Sequence, residues 1–222
     1  MRIAVLGTGV VGKTIGTKLV ELGHEVRMGS RTPDNERAAA WAKAMGPNAS
    51  YGTHRDAAAF GEAVFNCTTG SASLEALEQA GRENLAGKIL IDLANPLDFT
   101  QGMPPCLTVC NTDSLAERIQ RAFPEARVVK ALNTVNAGVM VDPSLVPGDH
   151  VLFVCGNDAT SKVQVAVWLE QWFGWKRSNV IDLGDITAAR ATEMFIPLWI
   201  RLYGLLGTPH FNINVIGGRP GV

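Results

Sequence analysis

The chain has 222 residues with a formal net charge of −1, four cysteines and 46% hydrophobic residues. That length supports one domain with at most an appendage, and a core that buries roughly 70% of the unfolded surface without disulfide or metal staples. No basic block points to nucleic acid, and no uncharged apolar run approaches the ~20 residues of a membrane span. A strand at the very start, with no leader pattern ahead of it, predicts a cytoplasmic protein.

Arg2 to Leu6 is a short apolar run of the kind buried in parallel sheets. It leads into Gly7-Thr8-Gly9-Val10-Val11-Gly12, then into a helical pattern (Val11, Ile15, Leu19, Leu22) that stops at Gly23, and a second strand spans Glu25 to Gly29. A GxGxxG between a first strand and a first helix predicts a dinucleotide site. Gly7 permits the tight turn, Gly9 the approach of a pyrophosphate, and Gly12 the close packing of helix on strand. The free N–H groups and the positive helix end hold the phosphates.

The end of the second strand selects the dinucleotide. NAD sites place a carboxylate there for the ribose hydroxyls, whereas this chain has Gly29-Ser30-Arg31 and no acid until Asp34. Arg31, with the hydroxyls of Ser30 and Thr8, suits a 2′-phosphate. NADP(H) is therefore the predicted cofactor.

Alternation of strand and helix continues: helix Glu36–Met45, strand Ala49–Gly52, strand Ala63–Cys67, a helix capped by Ser71 to Ala80, strand Lys88–Leu93, helix Ser114–Phe123 and strand Arg127–Leu132. Strand His150–Cys155, a helix to Phe173 and a last strand Asn179–Leu183 follow. The expected fold is α/β, a Rossmann-type doubly wound parallel sheet over residues 1–183, with a small C-terminal helical appendage over 184–222. Ile186 to Leu206 reads as one apolar helix that Pro197 kinks or breaks near Glu193. Such a helix is buried in its own core, faces a second subunit or walls an apolar ligand.

Ligands of open parallel sheets bind outside the carboxyl ends of the strands. Thr68-Thr69-Gly70, Asn95-Pro96 and Asn133 to Ala137 fall there, so Thr68, Thr69, Asn95 and Ala137 join the predicted cofactor contacts. No Ser–Tyr–Lys set or His–Asp pair for moving a substrate proton is visible, and Lys130 reads as structural or solvent-facing. Cys67 and Cys155 read as buried thiols, and Cys106 and Cys110 fit neither a zinc site nor a redox pair. The short stretch after Leu183 predicts a nicotinamide pocket that is shallow or completed by a second subunit; a shallow one suits a flat ring that exchanges hydride by stacking.

These segments resemble the NADP oxidoreductases that use the 8-hydroxy-5-deazaflavin coenzyme F-420. The likeness lies in RIAVLGTGVVGKTIGTKLVELGHEV, the GSR after it, KALNTVNAGVM, VLFVCGNDATSK and ATEMFIPLWIRLYGLLGTPHFN. It extends to the NADPH-binding domain of the membrane-bound ferric and cupric reductases. The resemblance implies that Thr8, Ser30 and Arg31 grip the NADP phosphates and that the nicotinamide lies over Thr69, Asn95 and Ala137. It also implies a deazaflavin co-substrate stacked above an apolar pocket formed partly by the C-terminal segment. A homodimer through the C-terminal helix is expected, with a small redox molecule as the other partner. The chain departs from archaeal members in lacking a lysine after the Ser-Arg pair, where Arg37 stands in, and in reading Asn133-Thr134-Val135-Asn136 for His-Thr-Ile-Pro.

Overall fold

The computed structural model describes residues 1–217, so 218–222 of the expected C-terminal segment lie outside it. In chain order the elements are β1 (Arg2–Leu6), α1 (Val10–Glu21), β2 (Glu25–Ser30), α2 (Glu36–Met45), β3 (Ala49–Thr53), α3 (His54–Phe60), β4 (Ala63–Asn66), α4 (Gly70–Ala80), the single turn α5 (Arg82–Leu85) and β5 (Ile89–Asp92). A two-stranded ribbon follows, β6 (Leu97–Asp98) and β7 (Cys106–Leu107). Then come α6 (Leu115–Ala122), β8 (Arg127–Ala131), α7 (Ala137–Val141), β9 (Leu152–Gly156), α8 (Ala159–Phe173), β10 (Val180–Asp182), α9 (Ala189–Met194) and α10 (Ile196–Leu206).

Eight strands form one sheet in the order β10-β9-β8-β5-β4-β1-β2-β3. The six from β8 to β3 are mutually parallel, as the alternation predicts. β9 instead pairs antiparallel with β8, and β10 follows β9 in parallel. The sheet is thus mostly parallel, with two reversed strands at one edge. The chain from β8 to β9 passes through α7 and a loop but returns along the sheet instead of crossing over it, which periodicity alone does not register.

Alternation within β1 divides the core. Ile3 and Val5 pack on one face with Ile15, Leu19, Trp41, Val165 and Trp172 from α1, α2 and α8. Ala4 and Leu6 pack on the other with Ala57, Leu77, Ile119 and Ala189 from α3, α4, α6 and α9. Both faces are covered, which accounts for the unbroken apolar character of the central strands. The four cysteines are free, Cys67 and Cys155 buried, Cys106 and Cys110 exposed. Burial pushes the Cys155 thiol up to about 12 and that of Cys67 higher still, so neither is a thiolate at neutral pH.

The C-terminal helix divides as Pro197 predicts. α9 ends at Met194, and α10 takes the proline into its first turn, where its missing N–H has no partner to lose. Although α10 is strongly apolar, only Ile196 of it is buried. Leu198, Tyr203 and Leu206 are exposed and Leu205 is 80% exposed. Trp199 stacks on Tyr203 at 5.5 Å and on Phe211 at 5.2 Å, which binds the following tail to the helix. Among the described residues no helix is long and apolar enough to cross a membrane.

Candidate active site: a cleft across the strand ends

The Gly-rich turn is built as a backbone cradle. Gly7 adopts φ +116°, a conformation that a side chain disfavours, and its N–H donates to the Gly29 carbonyl at 2.9 Å, tying the turn to β2. A Cβ on Gly12 would lie 2.0 Å from the Gly7 carbonyl oxygen, so α1 approaches β1 as closely as it does only with glycine there. Gly9 differs: a Cβ there would meet nothing within 4 Å. It is the N-cap of α1, with no side-chain cap bond and no acidic residue in the first turn. The orphan N–H groups of that turn therefore face an open space, and an anionic phosphate fits them.

A cavity of about 300 Å³ begins at this turn and is lined by Gly7, Thr8, Gly9, Ser30, Arg31, Asn35, Arg37, Thr68 and Thr69, with the side of α4 opposite. A second, of about 270 Å³, shares Cys67, Thr68 and Thr69 with it and continues along Val11, Leu93, Asn95, Leu97 and Phe99. Together they form a trough across the carboxyl ends of β1, β4 and β5.

Most of the sequence-predicted residues lie along this trough, in different states. Arg31 and Arg37 bring two guanidinium groups to the first cavity. Ser30 lines it too, but its hydroxyl donates to the Thr32 carbonyl at 2.6 Å and so braces the turn. The Thr68 hydroxyl faces inward, donating to Asn66 Oδ1 at 2.7 Å. Thr69, rather than Ser71, is the N-cap of α4, without a side-chain cap bond. Asn95 and Asn133 lock together: each donates its Nδ2 to the other residue, to the Asn133 carbonyl and to Asn95 Oδ1, both at 2.9 Å. Val10 is exposed, Gly12 is buried beneath the turn, and Ala137 is buried at the start of α7, so these three line neither cavity.

Reading the sequence missed His54, Glu75 and Gln79 in the first cavity and Leu97 and Phe99 in the second. The first depends on α3, whose capping box is visible as Thr53 and Asp56. The last two sit on the β6–β7 ribbon, which carries no periodic signal.

Beneath the trough, Lys130 is wholly buried and pairs with Asp92 at 2.8 Å and Glu193 at 2.9 Å. Burial opposes its charge, but the two carboxylates outweigh burial and raise its pKa. Glu193 also accepts the N–H groups of Leu115 and Ala116 at 2.8 and 3.1 Å. Asp92 accepts Asn66 Nδ2 at 2.7 Å. Lys130 is thus structural, as expected of it, and ties α9 to the strands beneath the trough.

A Gly-rich turn feeding a helix N-terminus, on a mostly parallel sheet with an arginine after β2, defines a Rossmann-type dinucleotide-binding protein. The sequence profile of the coenzyme F420-dependent NADP oxidoreductases matches residues 2–96. A crystal structure of a proposed F420-dependent NADP reductase from Arthrobacter sp. FB24 is 52% identical, with a TM-score of 0.92 over 98% of this chain and 100% of that one. The metalloreductase STEAP3 of Rattus norvegicus is 27% identical over 198 residues, 89% of this chain and 36% of that protein. This chain therefore spans about a third of the length of such curated relatives. A reductive aminase from Aspergillus terreus, solved with NADPH, shares the fold at 20% identity and a TM-score of 0.63, over 93% of this chain and 62% of that one. The chain belongs to the coenzyme F420-dependent NADP oxidoreductase family.

Proposed function

We propose that this protein transfers hydride between NADP(H) and a deazaflavin coenzyme of the F420 type, and that it does so as a homodimer. The observation that carries the reading is the trough itself, cationic and backbone-lined at one end and apolar at the other. On this reading the N–H groups at the start of α1 take the pyrophosphate, with Arg31 and Arg37 on the 2′-phosphate. The nicotinamide half lies along Thr69 and Asn95, whose side chain is already oriented by Asn133. When bound, the nicotinamide supplies or accepts the hydride at C4. Val11, Leu97 and Phe99 offer an apolar shelf on which a flat ring stacks and from which it displaces water.

Among the described residues lining the second cavity there is no carboxylate, lysine or histidine, and burial keeps Cys67 protonated. Such a lining suits hydride exchange between stacked rings, which depends on proximity and face-to-face alignment. Mixing the protein with NADPH and oxidised deazaflavin should bleach the visible absorbance of the deazaflavin; no turnover with pure coenzyme rejects the proposal. The similarity to metalloreductases favours a second reading, reduction of another acceptor such as a flavin, quinone, imine or chelated metal. An acceptor panel with NADPH separates the two.

The dimer proposal rests on α10. Its exposed Leu198, Tyr203, Leu205 and Leu206 make a face that a second copy of the same helix would cover. A light-scattering mass of a single chain at micromolar concentration rejects it.

A further inference from the structure

His54 begins α3 and is only 4% exposed, yet its ring borders the first cavity beside Ser30, Arg31, Asn35 and Arg37. Its Nδ1 is buried with no hydrogen-bond partner. The fold does not use this polarity, because Thr53 and Asp56 cap α3 between themselves. A buried unpaired nitrogen is destabilising, and one placed on a ligand cavity gains from a ligand that charges the ring or bonds to it. In the free protein, burial first and Arg31 second hold the imidazole down to about 4, so it is neutral near pH 7.

The charged groups around it are few. Arg31 from the end of β2, Arg37 from α2 and Glu75 from α4 line the same cavity. On α3 itself, Arg55 is drawn to Glu83 of α5 at 2.6 Å and Asp56 to Thr53. Arg82 of α5 pairs with Glu78, Arg2 of β1 with Glu62, and Arg27 of β2 bonds to Ser50 of β3. The cavity therefore holds two cations against one carboxylate, with a neutral imidazole able to become a third cation.

We propose that His54 is a proton-linked ligand of the phosphate monoester that distinguishes NADP(H). On arrival of that dianion beside Arg31, the ring takes a proton from solvent and donates it in a hydrogen bond. The inference rests on the NADP(H) reading above and deepens it into a specificity device. The incoming phosphate cancels the repulsion from Arg31 and supplies a counter-charge, so binding raises the proton affinity of the ring. A group whose pKa rises on binding tightens the complex below the raised value and loses that gain as pH rises through it. Preference for the 2′-phosphorylated nucleotide therefore sharpens from pH 8 to pH 6.

Calorimetry with 2′,5′-ADP and with 5′-ADP as probes, on the wild type and His54→Gln at both pH values, tests this. The wild type should bind 2′,5′-ADP about tenfold more tightly than the variant at pH 6 and within about twofold of it at pH 8. 5′-ADP should bind both proteins alike. The phosphate's own titration near pH 6 is common to both proteins and cancels. A readout that needs no variant is the His54 ring resonance of the wild type. Its titration midpoint should move up from about 4 to about 7 with 2′,5′-ADP, as a tenfold gain at pH 6 requires, and stay in place with 5′-ADP. Binding of 2′,5′-ADP with the same pH dependence in both proteins, or an unmoved ring, overturns the inference alone. No binding of 2′,5′-ADP at either pH overturns the NADP(H) reading and the inference with it.

Discussion

Replacing Lys130 with methionine should unfold this protein more readily than almost any other single change, and the size of the effect follows from its surroundings. The Lys130, Asp92 and Glu193 side chains are each at most 1% exposed, and the ammonium sits between the two carboxylates. Methionine replaces most of the stem but removes the charge, leaving two buried anions with no cation between them. Removing one partner of a buried pair costs about 3–5 kcal/mol. Glu193 keeps its bonds from Leu115 and Ala116, and Asp92 keeps those from Asn66 and Ala94, which places the expected loss nearer 3 kcal/mol. For a domain of this size that lowers Tm by about 6–12 °C.

The pH dependence separates this explanation from simple loss of packing. In the wild type the Lys130 pKa is raised above its ordinary 10.5. Its contribution is therefore complete below that value and is lost only as pH rises through the raised one, so it is flat from pH 5 to 9. In Lys130→Met the stranded carboxylates take up protons as pH falls, so the loss should be full at pH 8 and smaller at pH 5. Adding Glu193→Gln should restore part of the stability by removing one uncompensated charge. Thermal and urea denaturation followed by circular dichroism at the two pH values measures all of this. A variant within about 1 kcal/mol of wild type at pH 8, or an equal loss at both pH values, refutes the reasoning.

Arg31→Ala should weaken NADPH about ten- to hundredfold and leave NADH nearly unchanged, since one charge-assisted contact is lost; an unaltered affinity ratio excludes Arg31 from the phosphate site. Gly9→Ala and Gly12→Ala should part company. The first has open space, so it should keep the wild-type Tm while obstructing the dinucleotide, whereas the second meets the Gly7 carbonyl at 2.0 Å and should lose at least 1–3 kcal/mol by denaturation. Arg121 and then Arg118, with the Ser114 N–H, outweigh burial at Asp113 and hold its carboxyl down to about 2. The stability this brings is complete above the ordinary 3.8 and lost as pH falls through 2. Asp113→Asn should therefore cost about 1 kcal/mol at pH 7, screening by solvent around the half-exposed arginines having reduced it, and almost nothing at pH 2.

The first βαβ unit is legible in the sequence nearly to the residue because three independent signals agree there: an apolar run, a spaced glycine set and a helical period. α3 escapes because His54–Phe60 is short and its three alanines give no amphipathic contrast, although Thr53 and Asp56 announce its start. His54 escapes with it. The reversal of β9 is hidden for another reason. A strand buried on both faces reads the same in either direction, and only the path of the connection decides which neighbour it joins and how. The exposure of α10 is equally hidden, since an apolar period says that a face is to be covered but not by what.

Lys130 shows how three dimensions give a definite task to a residue that the sequence reads only as structural or solvent-facing. It stands three residues before Asn133, at the end of the sheet where chemistry is expected, yet its ammonium points beneath the trough into a triad that includes Glu193 from α9. Asn133 repeats the arrangement one step higher, donating to Asn95 and to the Thr192 carbonyl of the same helix. The polar groups beneath the apolar end of the trough are thus committed to joining β5, β8 and α9 into one rim. On the proposed function, a rim so braced would hold a ring in a fixed plane and leaves few groups free to relay a proton, and that favours an acceptor whose reduction turns on alignment above one whose reduction turns on acid–base catalysis.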